Sequence, residues 1–306
     1  MDPVMFDLGI IQIRWYGFLI ALGVLIGSVW ATREAERRGL SSEKLLDMAV
    51  WLVIAGIVGA RLVYVLTSPS AFFGPGGNPL SALYVWQGGI SIHGGILGIM
   101  LATWIYCRIH DLNMWAYLDT MIPVGALGVI GGRIGNFMNG TDTGGRLTTL
   151  PIGFRYPEEG TPTFGAFGRF VFGENLWAYK PPMCLQVPAG EPCIVHNTPL
   201  YGVIIGILLV FVCIWVLRRS KTPGFAFWQF ILWYSIFRSL LEEPFRDNPL
   251  TWPVYNNDAI GIGFFTLTQL ASIPIILIAI YLLITMDPDQ SDKKERLAMK
   301  ARGRLR

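Results

Sequence analysis

Arginines set inside apolar runs carry the first chemical information in this chain. Arg133 lies in Gly125–Gly140, Gly-Ala-Leu-Gly-Val-Ile-Gly-Gly-Arg-Ile-Gly-Asn-Phe-Met-Asn-Gly, with Asn136 three residues on. Arg238 lies between Tyr234 and Glu242, spaced i, i+4, i+8, so the three drift only slowly around one helix face. Arg61 follows Gly59-Ala60, and His93 stands in Gly-Gly-Ile-Ser-Ile-His-Gly-Gly, residues 88–95. An arginine in lipid is costly, so each should face protein, water or an anionic ligand. Two guanidiniums can grip a phosphate bidentately and stabilise it as a leaving group. An imidazole titrating near neutrality can take a proton from an acceptor. An Arg–Glu pair can also be purely structural, but three basic groups here meet one or two acids, and the surplus positive charge calls for an anion.

The elements that position these residues are read from composition. Of 306 residues, 53% are hydrophobic and 15% charged, against about 25% charged in soluble domains. The mean hydropathy is +0.48. This is the composition of an all-α polytopic membrane protein, and the 11 tryptophans suit interfacial belts. Seven apolar runs are long enough for ~30 Å of hydrocarbon at roughly 20 residues each. They lie near 13–32, 45–67, 88–108, 114–136, 199–217, 224–243 and 261–286. Met1–Gly9 carries acids in place of a basic n-region, so no cleaved signal peptide is expected.

Charge sets the expected orientation. Fifteen of the 24 lysines and arginines fall in one set of loops and in the C-terminal tail, and only six on or near the other side. The positive-inside rule then puts the N-terminus outside and the C-terminus in the cytoplasm. With that topology Tyr16, Arg61, His93, Arg133, Asn136 and Arg238 come from five helices yet share one layer in the outer third of the membrane. Snorkelling is the competing account for Arg61.

The expected organisation is a membrane body at 1–136 and 199–286, a small extracytoplasmic head domain of strands and loops at 137–198, and a basic cytoplasmic tail at 287–306. Leu150–Tyr156 and Arg169–Phe172 read as strand-like pieces of the head. Cys184 and Cys193 flank a short Pro/Gly-containing loop, and two readings stand: a disulfide in an oxidising compartment, or two unpaired thiols. Cys107 and Cys213 sit in apolar runs as packing residues. Three histidines and no zinc-like spacing argue against a metal site. No internal repeat stands out, which weighs against an inverted-repeat transporter.

These motifs together resemble the prolipoprotein diacylglyceryl transferase family over all seven runs. The likeness rests on Arg14-Trp-Tyr-Gly17, Gly59-Ala-Arg-Leu-Val-Tyr64, Trp86-Gln-Gly-Gly-Ile-Ser-Ile-His-Gly-Gly95, Asp119 and Gly131-Gly-Arg-Ile-Gly-Asn-Phe-Met-Asn-Gly140. Tyr234-Ser-Ile-Phe-Arg238 with Glu242 and Phe245-Arg246 fits it. The resemblance implies a bacterial inner-membrane enzyme that binds phosphatidylglycerol with its phosphate between Arg133 and Arg238. The lipobox cysteine of a prolipoprotein would attack the glyceryl carbon, forming a thioether and releasing glycerol 1-phosphate. His93 would be the base or would orient the head group. Tyr16, Arg61, Asn136, Asp142, Gly145, Tyr234 and Arg246 would contact substrate, and Glu242 would aim Arg238. Asp119, at the inner end of the fourth run, reads as structural. No cofactor and no nucleic-acid partner are expected, the surrounding partners are membrane lipids, and the chain is expected to be a monomer.

Three segments depart from the family pattern, one of them Glu242-Glu243-Pro244, which places one extra residue before Arg246. After Asn139-Gly140 the family usually reads Glu-Leu-Trp-Gly-Arg, whereas this chain reads Thr141-Asp-Thr-Gly-Gly-Arg146, with Asp142 in place of the glutamate and one residue extra. His-Pro-Ser-Gln-Leu-Tyr-Glu becomes His196-Asn-Thr-Pro-Leu-Tyr-Gly202. A related transferase with another acceptor, or a non-catalytic anionic-lipid carrier, are the competing functions.

Overall fold

The structure, a computed structural model, describes residues 4–7, 12–85, 89, 91–139, 145–155, 184, 187–188, 191–219, 221–247 and 255–286. Asp142, the strand-like piece Arg169–Phe172 and the tail lie outside the described residues. The fold is mostly helical. A short hairpin, β1 (Val4–Asp7) with β2 (Gln12–Arg14), leads into α1 (Trp15–Arg37). Then come α2 (Ser42–Thr67), the single turn α3 (Ser70–Phe73), α4 (Ile92–Ile109) and α5 (Met114–Asn139). Beyond β3 (Phe154–Arg155) and β4 (Ile194–Val195) follow α6 (Thr198–Arg219) and α7 (Phe225–Phe237). The hairpin β5 (Tyr255–Asn257) and β6 (Ile262–Phe264) precedes α8 (Leu267–Thr285).

Five of these helices, α1, α2, α5, α6 and α8, are long and apolar enough to cross a membrane. Helices also occupy the other two apolar runs: α4 has 18 residues and α7 has 13 before its geometry changes. The last helix starts at Leu267, not near residue 261, because Tyr255–Phe264 forms the β5–β6 hairpin. Its start is specified locally: Thr266 and Gln269 form a capping box, each satisfying a backbone N–H near the other. Ser41 caps α2 by accepting from the Lys44 N–H at 3.1 Å.

The chain forms two compact units, Thr32–Thr120 and the remainder, Met1–Ala31 with Met121–Arg306. In the first, α2 and α4 pack through glycines. A Cβ at Gly59 would meet the Gly94 carbonyl, and one at Gly98 would meet the Ala55 carbonyl. Small residues are what permit such backbone approach between apolar helices, where no hydrophobic force draws helices together. Asp119 is buried and takes Arg38 Nη1 at 3.3 Å, while Arg38 Nε donates to Glu34 at 2.7 Å. Each buried charge there has an opposite partner, as a structural network requires.

In the second unit, α1 and α5 meet through glycines of both helices. Gly23 and Gly27 face Leu127 and Val124, while Gly131 and Gly135 face Leu19 and Tyr16. Of the two small-xxx-small pairs in α5, the 131/135 pair makes the close approach; Gly128 faces open space. A core of Ile122, Ala126, Ile205, Leu209, Cys213, Val216, Leu217 and Ala226 joins α5, α6 and α7.

Candidate active site

Four sequence-selected residues converge in the second unit. α5 carries Arg133 and, one turn on, the half-buried Asn136. α7 ends at Phe237, and Arg238–Glu242 winds as a π-helical turn followed by a 3₁₀ turn, Glu243–Phe245. Pro244 supplies the reason the helix stops: it lacks an N–H and cannot continue the ladder. π turns leave the helical hydrogen-bond pattern and recur at functional sites. The Ser239 carbonyl in this turn is satisfied by Gln269 Nε2 at 2.8 Å, from the first turn of α8.

The result is a knot of charge around one oxygen. Glu242 Oε1 lies 2.8 Å from Arg133 Nη2, 3.0 Å from Arg246 Nη1 and 3.4 Å from Arg238 Nη1. Arg238 Nη2 also lies 3.6 Å from Glu243 Oε2, and Thr266 Oγ1 donates to Glu243 Oε1 at 3.2 Å. Both carboxylates are essentially buried, while the side chains of Arg133, Arg238 and Arg246 keep 12%, 21% and 17% of their surface exposed. The acids anchor the floor and the guanidiniums form a rim. Tyr234 faces Arg238 from one turn earlier and its ring stacks on Phe230.

Magnitudes decide what this knot is for. An arginine at the centre of a membrane helix costs about 2.5–3.5 kcal/mol on insertion scales. Three together would cost roughly 7–10 kcal/mol, comparable to a whole domain's stability of about 5–15. Two carboxylates offset two of them. Among the described residues Glu242 and Glu243 lie against Arg133, Arg238 and Arg246, and the part-exposed guanidinium edges are donors suited to a monoanion such as a phosphodiester.

A layer of short β pairings holds the knot's outer flank. Gly145 bridges Arg246 in antiparallel register, and the Arg146 N–H donates to the Phe245 carbonyl at 2.9 Å. Arg146 Nε donates to the Arg246 carbonyl at 3.0 Å, and Nη1 donates to Asn256 Oδ1. Gly145 is squeezed so closely against the His196 carbonyl that no Cβ fits there. Leu147 bridges Val195, β3 pairs with β4, and the Cys184–Cys193 disulfide packs on Val195 and Leu147.

His196 is fully buried beneath this layer. Its Nε2 lies 2.9 Å from the Ile260 carbonyl, which can only accept, so Nε2 carries the proton. Nδ1 therefore accepts from the Tyr201 hydroxyl at 3.0 Å. Burial holds this imidazole below the ordinary histidine range, opposed by the hydrogen bond to Ile260. Its ring lies 4.7 Å from that of Phe245, the residue before Arg246.

Tyr16, His93 and Arg61 each lie within their own unit. Tyr16 is exposed at the start of α1, beside Gly135 of α5. His93 is exposed in the first turn of α4, within the Thr32–Thr120 unit. In that unit Arg61 is buried and held by carbonyls: Nε to Ala82 at 2.9 Å, Nη1 to Gly89 at 2.7 Å and Nη2 to Ser81 at 2.6 Å. The rings of Tyr64 and Phe72 flank its guanidinium at 5.8 and 5.2 Å. Arg61 thus ties the loop after α2 down onto that helix. Gly94, next to His93, packs against α2.

Sequence reasoning missed Glu243, His196 and Gly202. Glu243 was visible as the second of two acids at the end of an apolar run, a costly pairing that calls for a role. His196 and Gly202 stood out only as the two ends of a segment that departs from the family pattern, with nothing to say what either one touches.

Arg246 lies just beyond the turn that contains Pro244, and its Nη1 reaches the Glu242 carboxylate four residues back.

The sequence model of the family described as prolipoprotein diacylglyceryl transferase matches residues 3–285. A phosphatidylglycerol–prolipoprotein diacylglyceryl transferase of Thermus thermophilus is 44% identical over 290 residues, covering 95% of this chain and all of the relative. Its namesake from Deinococcus radiodurans is 44% identical over 294 residues, covering 92% of this chain and 85% of the relative. One from Thermoanaerobacter is 35% identical over 286 residues, covering 93% of each. The match runs through the segments that carry Arg133, Arg238, Glu242 and Arg246, and on that extent of likeness the chain belongs to the prolipoprotein diacylglyceryl transferase family.

Proposed function

We propose that this chain transfers the diacylglyceryl group of phosphatidylglycerol to the lipobox cysteine of prolipoproteins. The observation that carries the reading is the convergence of Arg133, Arg238 and Arg246 on one oxygen of Glu242, with the guanidinium edges part-exposed. The phosphate of the lipid binds along those edges. The cysteine sulfur forms a bond to the glyceryl carbon as the carbon–oxygen bond to phosphate breaks. The electron pair leaves with the phosphate oxygen, giving glycerol 1-phosphate, and the arginines stabilise that developing charge.

A free thiol has a pKa near ~8.5, so its proton must be removed. His93 takes it, and its exposed side chain is open to an incoming peptide. Arg61 holds the segment leading to His93. Tyr16, Asn136, Asp142 and Tyr234 contact head group or acceptor, and Gly145 seats Arg246.

The chain is read as seven spans in the bacterial plasma membrane, N-terminus out and C-terminus in, acting as a monomer. Residues 137–198 form an extracytoplasmic head between the membrane segments 1–136 and 199–286, with a cytoplasmic tail at 287–306. The Cys184–Cys193 disulfide agrees with an oxidising outer compartment.

The test is incubation of the purified protein with phosphatidylglycerol and a lipobox peptide, read by mass spectrometry. A diacylglyceryl adduct on the peptide cysteine with glycerol phosphate released is the expected result. No adduct, but saturable lipid binding that needs Arg133 and Arg238, would identify a lipid-binding relative without transferase activity.

A further inference from the structure

We infer that Gly202 is a positioning residue of this site: its missing side chain leaves the lane through which the Arg133 stem crosses to Glu242. The inference rests on the reading that the arginine cluster binds a lipid phosphate. One face of α6 carries the buried residues Thr198, Gly202, Ile205, Gly206 and Leu209. At Gly206 that face meets Ile130 and the Ala126 carbonyl of α5, which is helix packing alone. At Gly202 it meets Arg133.

A Cβ at residue 202 would lie 2.6 Å from both Cγ and Cδ of Arg133 and 2.7 Å from its Nε. These atoms are the middle of the side chain, not its free end. They cannot yield without moving the guanidinium, whose Nη2 ends 2.8 Å from Glu242 Oε1. Nor is the start of α6 free to slide away. Tyr201, the preceding residue, donates to His196 and lies with its ring 5.4 Å from that of Phe245. So even alanine at 202 forces Arg133 off its carboxylate. Gly202 itself touches no reacting atom and acts through Arg133.

The experiment is a double-mutant cycle on the full chain, with lipid and peptide kinetics and thermal denaturation. Gly202→Ala should raise KM for phosphatidylglycerol about tenfold or more, leave KM for the peptide unchanged and lower Tm. In the Arg133→Ala background the lane is empty, and the same substitution should leave Tm unchanged. Wild-type KM for the lipid in Gly202→Ala, or an equal loss of Tm in both backgrounds, would overturn the inference and reduce Gly202 to a packing residue. If Gly202→Ala does not fold, recovery of folded protein in the Arg133→Ala/Gly202→Ala variant supports the inference, and failure in both overturns it. A wild-type chain that makes no adduct sinks the transferase reading alone, since the Tm cycle still judges Gly202.

Discussion

Arg133 Nη2 and Glu242 Oε1 meet at 2.8 Å, joining α5 to the π turn that follows α7. This is the shortest of the three arginine contacts to that oxygen, so Glu242 aims Arg133 at least as firmly as the Arg238 on its own turn. A buried carboxylate shared by three guanidiniums cannot be lost cheaply.

Glu242→Gln should therefore damage both fold and function. Breaking a buried pair costs roughly 3–5 kcal/mol, and the partial exposure of the arginines tempers that to about 2–3. The expected outcome is a lower Tm in thermal denaturation and a kcat/KM reduced about 100-fold or more. Unchanged turnover would show that the carboxylate does not organise the site.

Arg133→Lys and Arg238→Lys keep the charge and remove the fork. Each should weaken phosphatidylglycerol binding and turnover together, by about tenfold or more, because an ammonium cannot match a phosphate bidentately. Lipid titration alongside steady-state kinetics checks this. Wild-type lipid affinity in both variants would sink the phosphate clamp.

His93→Asn separates binding from chemistry. Phosphatidylglycerol should still bind with near wild-type affinity while turnover falls about 100-fold or more, in line with general-base contributions. Surviving turnover would reassign His93 to head-group orientation.

His196 makes a pH-dependent contribution to stability. Its folded proton affinity is lowered by burial, so below the ordinary histidine value of about 6.5 the unfolded chain binds more protons than the folded one. The contribution is complete above about pH 6.5 and is lost as pH falls toward the folded value. Tm should decline below pH ~6.5 in the wild type and more shallowly in His196→Gln. Parallel pH profiles would exclude the imidazole as the source.

The Cys184–Cys193 disulfide closes a loop with a sequence separation of 9. A loop that short contributes roughly 2–3 kcal/mol by restricting the unfolded chain. Reduction should lower Tm accordingly, and neither cysteine should accept a thiol label beforehand. Full labelling of the unreduced protein would refute the bond.

The sequence by itself determined the apolar helices and the expense of Arg133 and Arg238, because both follow from composition and from spacing along one helix. It also pointed to Glu242, by its i+4 relation to Arg238. Only the tertiary structure decided which partner each charge takes. Arg246 keeps the i+4 spacing from Glu242, but Pro244 ends the helix between them, and no spacing could show that Glu242 lies nearest Arg133, on another helix. Arg61 looks like the other buried arginines in sequence, yet carbonyls from residues 81–89 surround it in space. Gly202 shows in the sequence only as a departure from the family pattern: its meaning is the space that a side chain from another helix occupies, and local sequence does not record that space.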